Sequence, residues 1–186
     1  MILPIVGYGD PVLKKKAGDI DKSYPNLAEL IENMWETMYN ANGVGLAAPQ
    51  IGKPIRLFLV DASPFEDEEE ELKDFKKVFI NARILEETGE EWLFNEGCLS
   101  FPDLREDVLR KPKIRIRYQD ENFESHEEEF DGIAARIIQH EYDHIEGIVF
   151  VDRISPLKRR LIKNKLTSII KGAVSPSYKM RFAQRK

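Results

Sequence analysis

The stretch from about Gly132 to Glu146 limits what this 186-residue chain can become. Ile133, Ile137, His140 and His144 recur at helical spacing as one stripe, and Ala134, Ile138, Glu141 and Ile145 form the stripe beside it. Such a helix turns two histidines and a glutamate toward the core among aliphatic neighbours, where an unpaired carboxylate is costly. In His140-Glu141-Tyr142-Asp143-His144 the imidazoles lie four residues apart on one face, so both can reach one metal ion while Glu141 addresses a water bound to it. Two core histidines beside a partly exposed glutamate would be the reading without a metal, and the burial pattern weighs against it. Gly147 stops the helix.

Two histidines leave a third ligand to find, and the chain has three histidines and one cysteine in all. In the pattern H-E-x-x-H-x-x-G-x-x-H the next histidine falls at position 150; Gly147 fits, but Phe150 occupies the ligand's place. A glutamate from a later helix is equally missing, because Glu146 is the last Glu and Asp152 the last acid. Upstream the candidates are Cys98, His126 and many carboxylates. His126 sits in a polar segment and is expected at the surface. Cys98, in Glu96-Gly97-Cys98-Leu99-Ser100, offers the best ligand for an open metal position once it is a thiolate. A lone cysteine also excludes an intrachain disulfide and any Cys-pair zinc ribbon.

The rest of the chain reads as one α+β domain over residues 1–186, with antiparallel sheet packed around the helix that carries the histidines. Leu27, Leu30, Ile31, Met34 and Met38 predict an amphipathic helix opened by Pro25 and ending near Asn40. It runs into a loop of small residues, 42–52, where backbone can approach a ligand closely. Strands are expected at 55–61, 78–85 and 114–118, the last turning at Asp120-Glu121-Asn122 and returning through 123–130. Glu66 to Glu71, six consecutive acids, reads as a solvated insertion with no part in chemistry. A C-terminal helix should start at Ser155-Pro156 and stop at Gly172.

Charge divides the chain unevenly. The net charge is -5, yet from Arg153 onward there are eleven Lys and Arg and no acid, so residues 1–152 hold 17 basic against 33 acidic side chains. An acidic body with a basic helix and tail at 153–186 suggests contact with something anionic, such as nucleic acid or a ribonucleoprotein, or else a solvated helix face. The longest uncharged run, Thr37 to Gly52, is broken by asparagine, proline and glycine and is no membrane span. Lys14, Lys15 and Lys16 follow the short N-terminal apolar stretch instead of preceding it, which argues against a signal peptide and for a cytoplasmic protein.

Three motifs in order, Gly43-Val44-Gly45-Leu46-Ala47-Ala48-Pro49-Gln50, Glu96-Gly97-Cys98-Leu99-Ser100 and Gln139-His140-Glu141-Tyr142-Asp143-His144, make the chain resemble a bacterial peptide deformylase from Gly9 to about Pro156. The resemblance implies that Cys98, His140 and His144 hold a divalent metal, iron(II) natively, with zinc, nickel or cobalt as substitutes. It implies that water activated there attacks the formyl carbon of an N-formylmethionyl nascent peptide, with Glu141 as general base and acid and with Gln50 and the Leu99 N–H stabilising the oxyanion. Val44, Gly45 and Gly97 would edge a peptide bound as an added strand, and Val44, Ile133, Ile137 and Phe94 would receive the methionine side chain. Asp143 would orient the site through an arginine such as Arg110. Arg136 stands where relatives carry an aliphatic pocket residue; its stem can pack while its charge reaches water. Lys158, Arg159, Arg160, Lys163 and Lys165 would hold the enzyme near ribosomal RNA, or the helix would pack Leu157, Leu161 and Leu166 on the body. The expected protein is a monomer with no membrane or DNA partner. Two rivals are a metallopeptidase built on the same helix and a ribosome-associated RNA-binding module with a structural metal.

Overall fold

A computed structural model describes residues 1–184, so Arg185 and Lys186 of the basic tail lie outside the described residues. The chain runs through β1 (Ile5–Val6), α1 (Leu27–Asn40), β2 (Gly45–Ala47), β3 (Leu57–Asp61), β4 (Lys76–Thr88), β5 (Trp92–Cys98) and β6 (Phe101–Arg110). It continues through β7 (Lys113–Gln119), β8 (Ser125–Asp131), α2 (Gly132–Ile145), α3 (Pro156–Leu161), α4 (Lys163–Ile170) and β9 (Met180–Arg181). An antiparallel five-stranded sheet has the order β2-β3-β4-β7-β8; β5 and β6 form a separate hairpin, and β1 pairs with β9 in parallel.

β3 explains how the layers meet. Side chains alternate across a strand, so Leu57 and Leu59 join Leu30, Ile31, Met34 and Met38 of α1 on one face, while Phe58 and Val60 meet Ile133, Ala134 and Ile138 of α2 on the other. Both faces are covered, and all five strand residues are buried. α2 is enclosed between this sheet and the hairpin, with only Gly132 and Tyr142 of its fourteen residues outside the buried set.

Burying both ends of a helix leaves its orphan amides and carbonyls to be satisfied by other parts of the chain. At the start of α2, Ile133 N–H donates to Glu69 at 3.1 Å, beside Gly132 in the left-handed region. At the end, the buried Arg56 donates to the Ile145 carbonyl at 3.2 Å and to the Glu146 carboxylate at 3.1 Å. An acid at the N-terminus and a guanidinium at the C-terminus both complement the helix dipole. Gly147, also left-handed, ends the helix as expected, with Ile148 N–H returning to the Asp143 carbonyl at 2.9 Å.

Several expectations are corrected. The acidic run is more than a solvated insertion, since Glu69 caps α2 and Glu70–Leu72 forms a short 3-10 turn with Leu72 buried. α1 begins at Leu27 after a left-handed Asn26, not at Pro25. The single C-terminal helix is two, broken at Ile162, although Ser155 does cap the first by accepting from Lys158 N–H. Of the three leucines expected to pack there, only Leu166 is buried; Leu157 and Leu161 are 67% and 76% exposed. The loop of small residues contains β2 and a 3-10 turn, Ala48–Ile51, and the β5–β6 hairpin was not foreseen.

Candidate active site

Three elements bring the three motifs together. α2 supplies His140, Glu141 and His144; the turn closing the β5–β6 hairpin supplies Cys98 and Leu99; the 3-10 turn after β2 supplies Gln50. Ligand atoms of Cys98, His140 and His144 lie within 4.8 Å of one another, with Cys98 Sγ 3.4 Å from His144 Nε2. His126 lies in a separate cluster with Asp120 and Glu124, bonded to Asp120 at 2.8 Å, which leaves Cys98 as the third donor of this group. One cysteine sulfur and two imidazoles could hold a borderline-soft divalent ion, and three such donors would leave a position open.

The donors are aimed by their neighbours. His140 Nδ1 lies 2.9 Å from Glu96 Oε1, which turns Nε2 toward Cys98. Glu96 in turn is gripped by Arg110 through two bonds of 2.7 and 3.0 Å and by Arg136 at 2.8 Å. Arg110 reaches on to Asp143 at 2.8 Å, and Asp143 is held a second time by the fork of Arg153 at 2.5 and 2.6 Å. Burial alone would raise the Glu96 pKa, but bonding to His140 and Arg110 outweighs it and holds the carboxyl well below the usual range. His140 is pushed down by burial and up by more through Cys98, Glu96 and Glu141, so the site that tightens its hold on a proton is one that favours a cation. Burial, with His140 and Arg110 beside it, keeps His144 neutral as a metal ligand must be.

Glu141 is the exception to this satisfaction. It is 4% exposed, and its Oε2 has no hydrogen-bond partner among the described residues. Burial pushes its pKa up to about 7 against the pull of His140. A carboxyl poised there can exchange protons at neutral pH. Gly45 makes room for it: a Cβ on Gly45 would stand 2.6 Å from Glu141 Oε1.

Gln50 is fixed at both ends of its amide. Its Oε1 accepts from Ala47 N–H at 2.9 Å, and its Nε2 lies 3.2 Å from Ser100 Oγ and 3.4 Å from Cys98 Sγ. Cys98, His140 and Glu141 border a cleft of about 450 Å³ whose walls include Val44, Gly45, Phe94, Gly97, Leu99 and Ile137; Gln50 stands behind Cys98 and is not part of its lining. Ile133, one turn before Ile137, packs in the core with Phe58 instead of lining that cleft. Arg136 does not send its charge to water. It is 2% exposed, bonds the Trp92 and Val108 carbonyls at 2.7 and 2.9 Å as well as Glu96, and stacks over Trp92 and Phe94. Tyr178 and Arg105 also line the cleft, and no motif pointed to either.

The polypeptide deformylase family model matches residues 2–160. A peptide deformylase of Christiangramia forsetii is 64% identical, the match covering all of this chain and 98% of the relative. Among solved structures, a peptide deformylase from Legionella pneumophila superposes with a TM-score of 0.80 at 37% identity, over 95% of this chain and all of that one. One from Thermotoga maritima gives 0.75 at 42% identity, over 84% and 99%.

Proposed function

The chain belongs to the polypeptide deformylase family, and on that premise we propose that Cys98, His140 and His144 hold one divalent ion, iron(II) in the cell, with zinc, nickel or cobalt as substitutes. The family's reaction is removal of the formyl group from N-formylmethionine at the start of new polypeptides. The observation that carries the residue assignment is the convergence of those three donors beside a buried, unpartnered glutamate. A divalent ion bound there supplies a Lewis acid and acidifies water in the cleft.

The protein's own groups do the rest. Glu141 takes a proton from water as it adds to the formyl carbon and returns one to the departing amine; the C–N bond breaks, giving formate and a free methionine amine. Gln50 Nε2 and the Leu99 N–H stabilise the oxygen on which charge develops, and both are held in advance. Among the described residues β2 is an edge strand and β5 pairs only with β6, so both offer a strand edge to a peptide lying between them. Recognition by main chain tolerates varied sequence after the first residue. Val44, Phe94 and Ile137, with Ile133 behind, receive the methionine side chain.

No helix among the described residues is long and apolar enough to cross a membrane. We place the protein in the cytoplasm, as a single-domain monomer over residues 1–186 that touches the ribosome through Lys158, Arg159, Arg160, Lys163 and Lys165. The exposure of Leu157 and Leu161 beside these charges favours a docking surface over packing on the body. The test is formate release from formyl-Met-Ala-Ser by protein loaded with iron(II) without oxygen, lost in Glu141→Ala and Cys98→Ala. Release that survives in either variant rejects that residue's role. Salt-sensitive cosedimentation with ribosomes should survive Glu141→Ala and weaken when the five charges are neutralised.

A further inference from the structure

The family match ends at residue 160, yet the segment that follows α4 returns to the catalytic cleft. β9 pairs with β1, with Ile5 N–H donating to the Lys179 carbonyl and Gly7 N–H to that of Arg181, both at 2.9 Å. This anchors Tyr178, two residues before β9, so that its ring lines the cleft and its hydroxyl donates to the Leu99 carbonyl at 2.7 Å. Leu99 is the second residue of the turn that joins Cys98 to Phe101, where an N–H stands outside the strand ladder. The turn is held on every other side. Tyr8 N–H donates to the Ser100 carbonyl at 3.0 Å, Gln50 Nε2 reaches Ser100 Oγ, and the Leu99 side chain packs against Gly43 and Met38. Tyr178 is thus the group that fixes the Leu99 carbonyl, and through it the orientation of the residue whose N–H the proposed mechanism uses.

We propose that Tyr178 is a positioning residue for deformylation: by holding the Leu99 carbonyl it keeps the Leu99 N–H in place for the developing oxyanion, so the C-terminal tail completes the active site. Burial, together with the nearby charges of Cys98 and Asp103, raises the tyrosine's pKa, so it stays a donor throughout the working pH range. The inference rests on the reading of Leu99 and Gln50 as oxyanion donors, and the test separates the two.

Tyr178→Phe keeps the ring and removes only the hydroxyl. Deleting an oxyanion donor costs about a hundredfold or more in kcat, so loosening one should cost about fivefold. KM for formyl-Met-Ala-Ser, metal content and the unfolding midpoint should stay as in wild type. In metal-free protein, amide hydrogen exchange should quicken across residues 98–101 and not elsewhere. Unchanged kcat, or a fall in kcat matched by losses of metal and thermal stability, overturns the proposal. Gln50→Ala in the same assay distinguishes the failures. If it keeps full kcat, the oxyanion reading itself falls; if it loses kcat while Tyr178→Phe does not, only the role of Tyr178 falls.

Discussion

Replacing Glu141 by glutamine exchanges a buried carboxyl for a neutral side chain of nearly the same shape, and the structure sets the pH dependence of the result. In the unfolded chain the group ionises near 4.5; in the folded, metal-free protein burial pushes it up to about 7. Below pH 4.5 it is neutral in both states and costs nothing. As pH rises from 4.5 to 7 the unfolded chain gains by ionising while the folded one cannot, so wild-type stability falls across this window and levels off above it. A shift of two and a half units corresponds to about 3 kcal/mol. Urea unfolding of both proteins with a chelator present, at pH 4, 6 and 8, should show the stability of Glu141→Gln relative to wild type growing by that amount, most of it before pH 7. Loading the ion should flatten the difference, because a cation beside Glu141 favours its charged form. A difference that does not change with pH would refute the claim that burial dominates this carboxyl.

Other substitutions probe the supports around the site. Gly45→Ala places a methyl 2.6 Å from Glu141 Oε1, and displacing the base should lower kcat about a hundredfold with metal content intact by elemental analysis; kcat within twofold of wild type would show that Glu141 moves freely. Arg136→Met removes one partner of the buried Glu96 and leaves the Val108 and Trp92 carbonyls without this donor, and should cost about 3 kcal/mol in urea unfolding; a loss under about 1 kcal/mol would mean that Arg110 and His140 suffice for Glu96. Glu69→Ala removes the cap on α2 and should cost about 1 kcal/mol, which calorimetry can measure, without changing KM.

The sequence was most legible where the information is local. α2 declared itself through spacing, and β7 through Ile114, Ile116 and Tyr118, all buried, alternating with Arg115 and Arg117. The β5–β6 hairpin hid because its outward face is not polar: Leu93 and Leu109, 57% and 49% exposed, sit opposite each other and erase the alternation. Three motifs named residues that the fold brings together, Cys98, His140, His144 and Glu141, but not the hydrogen bonds that hold them. Nothing at Arg136 announces that Glu96, forty residues earlier, will receive its charge, so the general tendency of arginine to reach water misled. Glu69 and Tyr178 are similar cases, each defined by one hydrogen bond to a distant backbone atom that leaves no periodic trace.

The pairing of β1 with β9 joins residue 5 to residue 180. Contacts so far apart in the chain are costly to close and form late. During its own synthesis the protein can assemble α2, the sheet and the hairpin while the residues that answer β1 are still inside the ribosome. The first strand waits for β9, and Tyr178 reaches Leu99 only once β9 has emerged. The wall of the cleft at Tyr178 is therefore set last, after the elements that carry Cys98, His140 and Glu141.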